Sequence, residues 1–532
     1  MAEPPRPVAV AVLDFGGQYS HLIARRCREQ HVFAELFPPE VKPADLRARN
    51  VKSIILSGGP ASVYADGAPR CDPALLRMGL PVLGICYGAQ LIAHLTCEGV
   101  ARAPMREYGR TELQVVDGDL LFWGFGGKTT VWMSHGDRIE RLPDGAKVLG
   151  KTAHSPIAAF RVNVQPEGPQ PDNRVLKALG SIPLYGIQFH PEVRHTPRGR
   201  EILSRFLFDV CRLGPDWTPE ALIESITREA KESAGNSKLV CGLSGGVDST
   251  VAAVLVHRAL PGRLTSIFVD HGLCRKGEPE AVKGLAARLG LPLVFVDARE
   301  RFLKRLKGVA DPERKRLIIG EEFVRVFEEE ARKLQGAEWL VQGTIYPDRI
   351  ESAATSRRAS RIKSHHNVAG LPEKMGLKVL EPLRDLYKDE VRALGHTLGL
   401  PGDIIHRHPF PGPGLAARVI GEVTEEKLRI CRDASAIVEE ELQKAQWYPK
   451  VWQAFAAVGD DRATGVLGDE RALGHIVIVR VVESEEAMTA DWARLPPEVL
   501  EAVSNRITNE VGGVTWVAYA ISSKPPATIE PC

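Results

Sequence analysis

Cys86 stands between Gly84 and Gly88 in PVLGICYGAQLIAHLT, where an apolar strand-like run gives way to an apolar helix-like one. A sharp strand-to-helix turn needs glycines to avoid Cβ clashes, and it delivers a thiol to a helix N-terminus whose partial positive charge favours thiolate. A lone cysteine is as readily a small buried hydrophobe, so this run leaves both readings open. Far along the chain, LYGIQFHPEV sets His190 and Glu192 two apart on a strand end, with Pro191 between them blocking helix. A base oriented by a carboxylate is what a cysteine needs to attack an amide and then protonate the departing amine. Taken alone, HPE is an ordinary polar strand end; the two runs together are far more specific.

A second candidate site lies in KLVCGLSGGVDSTVAAVLVHRAL, which reads as strand, loop and apolar helix. In the loop, Ser244, Gly245, Gly246, Val247, Asp248, Ser249 and Thr250, glycines let backbone N–H groups approach an anion, and the helix presents its positive end to phosphate. The lysine of a GK[ST] phosphate loop is missing. Asp248 stands in the run instead, which suits a carboxylate holding Mg²⁺ against phosphates.

Elements of two kinds must position these groups. Short Val- and Ile-rich runs alternate with helical patterns, first as VAVAVLDF, SIILSGG and PVLGICYG, then, after the linker LGPDWTPE (213–220), as KLVCGLSGG, LTSIFVD, PLVFVDA and WLVQGT. That alternation predicts parallel sheets with crossover helices, and its restart predicts a domain boundary near Trp217. Beyond HRHPFPGPG, too rich in proline and glycine for a helix or central strand, come a helix, HIVIVRVVES, another helix and VTWVAYAISS. The expected fold is α/β: two doubly wound, mostly parallel-sheet domains (7–214 and 215–407) and a small α+β C-terminal domain (408–532).

Composition narrows the function classes. The 532 residues are 44% hydrophobic and 26% charged, with Lys plus Arg at 69 against 67 for Asp plus Glu, so the chain buries real cores and carries no global field for a nucleic acid. Nine cysteines without a CxxC pair read as reduced thiols, not disulfides or zinc ligands. The most apolar stretch, 80–96, is broken by glycines and Gln90, too short for a membrane helix. The start MAEPPRPVAVAVLDF has no basic region followed by a long apolar one, so a mature cytoplasmic protein is expected.

Through LSGGP (56–60), GICYGAQ (84–90) and FHPE (189–192), the first two hundred residues resemble the class I, triad glutamine amidotransferase domain. The resemblance implies Cys86 as nucleophile, His190 as general base and acid, Glu192 as its orienter, and backbone N–H groups of Gly59 and Tyr87 as the oxyanion hole. Glutamine would be hydrolysed through a γ-glutamyl thioester to release ammonia. SGGVDST resembles the fingerprint of the N-type ATP pyrophosphatases, which transfer AMP to a substrate oxygen and release pyrophosphate. Asp270, in IFVDHGL, then either lines the adenine side or is a plain strand-end carboxylate.

Joined halves imply that ammonia displaces an adenylylated oxygen, enclosed so that it is not lost to water. With DPERKRLIIGEEF (311–323), QGTIYPDRIES (342–352), IKSHHNVAGLP (362–372), HPFPGPGLAARV (408–419) and SSKPPATIE (522–530), the chain resembles, nearly end to end, the family of glutamine-hydrolysing GMP synthases. That implies xanthosine 5′-monophosphate (XMP), ATP and glutamine as small-molecule substrates, Mg²⁺ with ATP, no prosthetic group, no nucleic acid or membrane partner, and a homodimer formed through the third domain. It also implies XMP contacts at Arg316, Asp469, Lys524 and Glu530. His365 and His366 make a poor metal pair, and the basic run 357–363 is either a solvated face or a phosphate contact beside a lid. The chain departs from the family pattern around Asp460 and at Pro531 and Cys532. Rival readings are an ATP pyrophosphatase acting on another acceptor, such as NAD⁺, an asparagine precursor or a tRNA base, and a sensor that binds glutamine and ATP without turnover.

Overall fold

The computed structural model describes residues 7–167, 181–334, 336–348, 376–467, 470–484 and 489–532. Asp469, the basic run 357–363, His365 and His366 lie outside the described residues. The chain forms two compact units, Met1–Thr218 and Pro219–Cys532.

The first unit is built on nine strands: β1 (Val10–Leu13), β2 (Ala34–Phe37), β3 (Ser53–Leu56), β4 (Val82–Ile85), β5 (Val100–Val115), β6 (Lys128–Ile139), β7 (Lys147–Lys151), β8 (Ala159–Val164) and β9 (Ile182–Ile187). They form one sheet in the order β2-β1-β3-β4-β9-β8-β7-β5-β6. From β2 to β9 every pairing is parallel, and from β9 to β6 every pairing is antiparallel. The parallel half is the one legible as apolar runs, because VAVL, SIIL and VLGI are buried at every position. The antiparallel wing is partly exposed along β5 and β6, so its residues read as mixed polar sequence. Trp217 stacks on Phe33 at 4.2 Å between ring centroids and donates its N–H to the His31 carbonyl at 2.8 Å, which ties the linker to this unit.

In the second unit, β10 (Lys238–Gly242), β11 (Leu264–Asp270), β12 (Leu293–Asp297), β13 (Ala337–Val341) and β14 (Lys378–Leu380) form an all-parallel sheet in the order β12-β11-β10-β13-β14. The C-terminal part pairs β15 (Gln453–Leu467) antiparallel with β16 (Glu470–Glu483), adds the short β17 (Asp491–Trp492), and lays β18 (Val514–Tyr519) parallel to β16. Helices Glu425–Lys444 and Pro497–Glu510 belong to this α+β part. The HPFPGPG run is a non-helical crossing that ends in the short turn Gly414–Ala417. One apolar cluster runs through the whole unit, joining Val240, Ile267 and Leu340 to Leu415, Val419, Ile430 and Val477. No described helix is long and apolar enough to cross a membrane.

Candidate active sites

Strands β4 and β9 are parallel and in register, Ile85 beside Ile187, so the residues that follow each strand emerge at one sheet edge. Cys86 immediately follows β4 at φ 50°, ψ −104°, a left-handed conformation strained for a residue with a Cβ. It caps the helix Tyr87–Cys97. The turn is possible only because position 88 lacks a side chain: a Cβ on Gly88 would lie 2.3 Å from the Leu56 carbonyl oxygen.

His190 Nδ1 sits 2.7 Å from Glu192 Oε1, with both side chains buried. Burial works against the imidazolium, but the Glu192 carboxylate and the Cys86 sulfur outweigh it and hold His190 well above the usual histidine range. The two reacting side chains converge over Gly58, where an added Cβ would meet His190 Cε1 at 3.1 Å and Cys86 Cβ at 3.8 Å. Sγ of Cys86 donates to the Ser134 carbonyl at 3.6 Å and accepts from Gln188 Nε2 at 3.8 Å. Gly59 and Tyr87 also meet: a Cβ at Gly59 would lie 3.2 Å from Tyr87 Cγ, and Tyr87 opens the helix, where a backbone N–H has no intrahelical acceptor.

These groups border a cavity of about 970 Å³, whose lining includes Gly59, Cys86, Gln90, Asp137 and His190. Tyr64, Arg102, Arg106 and Tyr108 line it as well. Tyr64 donates to Asp137 Oδ1 at 2.7 Å, and Gln90 Nε2 donates to the Asp137 carbonyl at 2.9 Å. A carboxylate and two guanidinium groups around a nucleophile can receive the ammonium and carboxylate of an amino acid whose side-chain amide faces the thiol. Motif reasoning assigned none of Asp137, Arg102 and Arg106. The available signal was SHGD (134–137), a polar tetrad inside a strand.

The phosphate loop follows β10, with Gly245 at φ +77° and Gly246 capping the helix Val247–Ala259. Ser249 Oγ and Thr250 Oγ1 both donate to the Gly246 carbonyl, at 3.2 and 2.8 Å, and Ser244 bonds Ser249, so the loop is braced by its own hydroxyls. Two cations reach it from distant elements. Arg407 Nη1 donates to the Gly245 carbonyl at 3.3 Å, and Lys388 Nζ donates to Asp248 Oδ2. Lys388 thus brings a lysine ammonium to the loop from a distant element. The overlooked signal is its position at the start of the helix Lys388–Thr397, where a positive charge opposes the helix dipole. Asp248 Oδ1 is buried without a hydrogen-bond partner among the described residues. Asp270 ends β11, where Oδ1 accepts the Gly272 N–H at 3.0 Å and Oδ2 lies 3.7 Å from Arg299 Nε.

Of the candidate nucleotide contacts, Arg316 donates to Glu313 Oε1 at 2.7 Å and to the Cys532 carbonyl at 2.9 Å, so helix Pro312–Lys333 meets the chain's end. Glu530 is clasped by Arg418, with Nε and Nη2 each 3.1 Å from a carboxylate oxygen, and also accepts from Gln453 Nε2. Lys524 exchanges both backbone hydrogen bonds with Ala490. At the two departures from the family pattern, Asp460 pairs with the buried Lys427 at 2.6 Å, and the Cys532 N–H donates to the Ala417 carbonyl at 3.1 Å.

Three family models match the chain: glutamine amidotransferase class-I over 11–170 and 173–210, NAD synthase over 220–322, and GMP synthase C terminal domain over 440–531. A Carboxydothermus hydrogenoformans protein is 54% identical over 522 residues, covering 98% of this chain and 99% of that protein. One from Caldanaerobacter subterraneus subsp. tengcongensis is 52% identical, covering 98% of each. A Pyrobaculum aerophilum protein is 50% identical, covering 98% of this chain and 99% of its own length. All three are named glutamine-hydrolysing GMP synthases.

Proposed function

The chain belongs to the glutamine-hydrolysing GMP synthases, and we propose from that premise how its residues divide the reaction. The enzyme is a ligase that makes GMP with glutamine as amide donor and ATP as co-substrate. Within residues 7–214, Cys86 attacks the glutamine amide while His190 takes the thiol proton and returns it to the departing ammonia, and Glu192 fixes the ring. Backbone N–H groups of Gly59 and Tyr87 receive the oxyanion. The observation that carries this reading is the convergence of Cys86 and His190 over Gly58 beside a cavity of about 970 Å³.

Within 215–407, the loop from Ser244 to Thr250 cradles ATP phosphates, and Lys388 acts as a second phosphate ligand. The buried Oδ1 of Asp248, without a hydrogen-bond partner among the described residues, fits a hard cation. Mg²⁺ commonly keeps waters and substrate phosphates as ligands beside one or two carboxylates, which suits a single aspartate here. When bound, it neutralises charge as the α–β phosphate bond is cleaved. AMP passes to the XMP oxygen, and ammonia displaces it. Among the described residues, Arg316, Lys524 and Glu530 would contact XMP; Glu530 is held in place by Arg418.

The assay that tests the nucleotide site measures pyrophosphate release with XMP, ATP and Mg²⁺, with glutamine or ammonium as donor. A charge-assisted contact contributes roughly 1.5 to 3 kcal/mol, so Lys524→Ala is expected to raise the KM for XMP about ten- to hundredfold while the glutaminase stays competent. Unchanged KM and kcat with ammonium would return the tail to the surface.

The third part, 408–532, is read as a dimerisation domain. Val466, Leu473 and Trp516 are 72%, 64% and 56% exposed. Leu473 pairs with Thr464 across the β15–β16 ladder, and Trp516 Nε1 donates to the Thr464 carbonyl at 3.1 Å, which brings two of these exposed apolar side chains to one strand position. Sedimentation is expected to show a dimer that Leu473→Glu converts to monomer; a parent protein that is monomeric at micromolar concentration would refute it. All nine cysteines are free, which supports a reducing, cytoplasmic setting.

A further inference from the structure

One buried pair of polar side chains in the first unit has no part in the chemistry assigned to Cys86, His190 and Glu192. Glu107 and His135 lie directly opposite each other on β5 and β6, both buried, with His135 Nε2 3.3 Å from Glu107 Oε2. The contact is not a well-aligned hydrogen bond: Nε2 has no hydrogen-bond partner among the described residues. The other ring nitrogen, Nδ1, is 2.8 Å from the Asp137 carbonyl. Both Glu107 oxygens are occupied: Thr152 Oγ1 donates to Oε1 at 2.7 Å, and Ser155 Oγ donates to Oε2. Burial alone would push this carboxyl up, yet the contacts from His135, Ser155 and Thr152 lower it to about 2.

A pair taken out of water contributes little net stability against an apolar substitute, so its value lies in what it fixes. Here it pins two cavity walls at an irregularity in the sheet. From the Arg102–Asp137 pairing to the Glu107–His135 pairing, β5 uses more residues than β6 and bulges. Bulges beside active sites re-aim side chains. The flanking Arg102, Arg106 and Tyr108 all line the cavity, as do Ser134, Gly136 and Asp137 around His135. Ser134 is the residue whose carbonyl faces the Cys86 thiol.

We propose that Glu107 and His135 are positioning residues for glutamine: their buried pair locks the bulge of β5 against 134–137 of β6, setting the distance between the groups that hold the amino acid and the sulfur that attacks its amide. The proposal rests on reading the Cys86 site as the glutaminase.

Its test exploits the two nitrogen donors. Glu107→Gln removes the charge and keeps the shape, so the glutamine KM is expected to rise about tenfold or more while kcat changes less than about threefold. Ser155→Ala removes one hydroxyl from the carboxylate and should raise the same KM roughly threefold, with the same split. Ammonium-supported GMP formation should match the parent enzyme in both. A glutamine KM within about twofold of the parent in both variants would overturn the proposal. So would a parallel loss of glutamine- and ammonium-supported activity in Ser155→Ala, which would make the pair a general support of the fold. Should Glu107→Gln fail to fold, Ser155→Ala decides alone. Failure of the underlying site reading would show separately, as glutamine-supported activity surviving in Cys86→Ala.

Discussion

Cys86→Ala is expected to lose glutamine-supported GMP formation by about 10³-fold or more while keeping ammonium-supported formation close to the parent rate. Removing a nucleophile from a concerted group costs about as much as removing the whole group, because base and orienter have nothing left to activate. The variant should still fold. Alanine fits where cysteine does, and the strain at φ 50° is borne by the close packing around Gly88, not by the sulfur. The synthetase half draws its own residues from the second unit, so externally supplied ammonia should bypass the lesion. Steady-state pyrophosphate release with each donor reads both numbers. Equal loss with the two donors would sink the assignment of Cys86.

Asp248→Asn should behave oppositely, lowering GMP formation with either donor together by ~10²-fold or more. Asparagine keeps the shape and one acceptor for Lys388 but removes the negative charge. The buried Oδ1, partnerless among the described residues, is the atom proposed to face Mg²⁺. Without that charge the phosphates lose a fixed partner for their counter-ion, and Lys388 loses the carboxylate that orients it. Glutamine hydrolysis at Cys86, followed as glutamate release, should survive. Ammonium-supported synthesis at the parent level in this variant would place the metal elsewhere.

Both predictions rest on motifs that were legible because their parts are contiguous. Glycine, cysteine and the helix start lie within a few residues in GICYGAQ, so local sterics alone demand the turn, and the structure shows that turn at Cys86. SGGVDST likewise carries its glycines, its hydroxyl braces and its helix cap in one run. The short parallel strands were legible for a related reason: a strand buried on both faces must be apolar throughout. The wing formed by β5 to β8 was not, since strands with an exposed face mix polar and apolar residues and blend into loops.

What the sequence by itself determined is therefore the local chemistry: a strained thiol at a helix start, a histidine with its carboxylate two residues on, a glycine-rich loop that opens a helix, and the order of the segments that carry them. Tertiary structure alone decided which of these meet and what surrounds them. Cys86 reaches His190 only because β4 and β9, remote in sequence, are neighbours in the sheet. Lys388 meets Asp248 only because its helix begins beside the loop. Glu107 finds His135 only through the register of a bulged pair, and Glu530 finds Arg418 only when the chain's end returns to the turn after HPFPGPG. The physical reason is that local sterics and helix caps act over a few bonds and leave their mark on adjacent residues, whereas strand order and register are settled by burial of the whole apolar surface. No single residue carries that information, so a charge waiting for a distant partner looks, in the sequence, like any other charge.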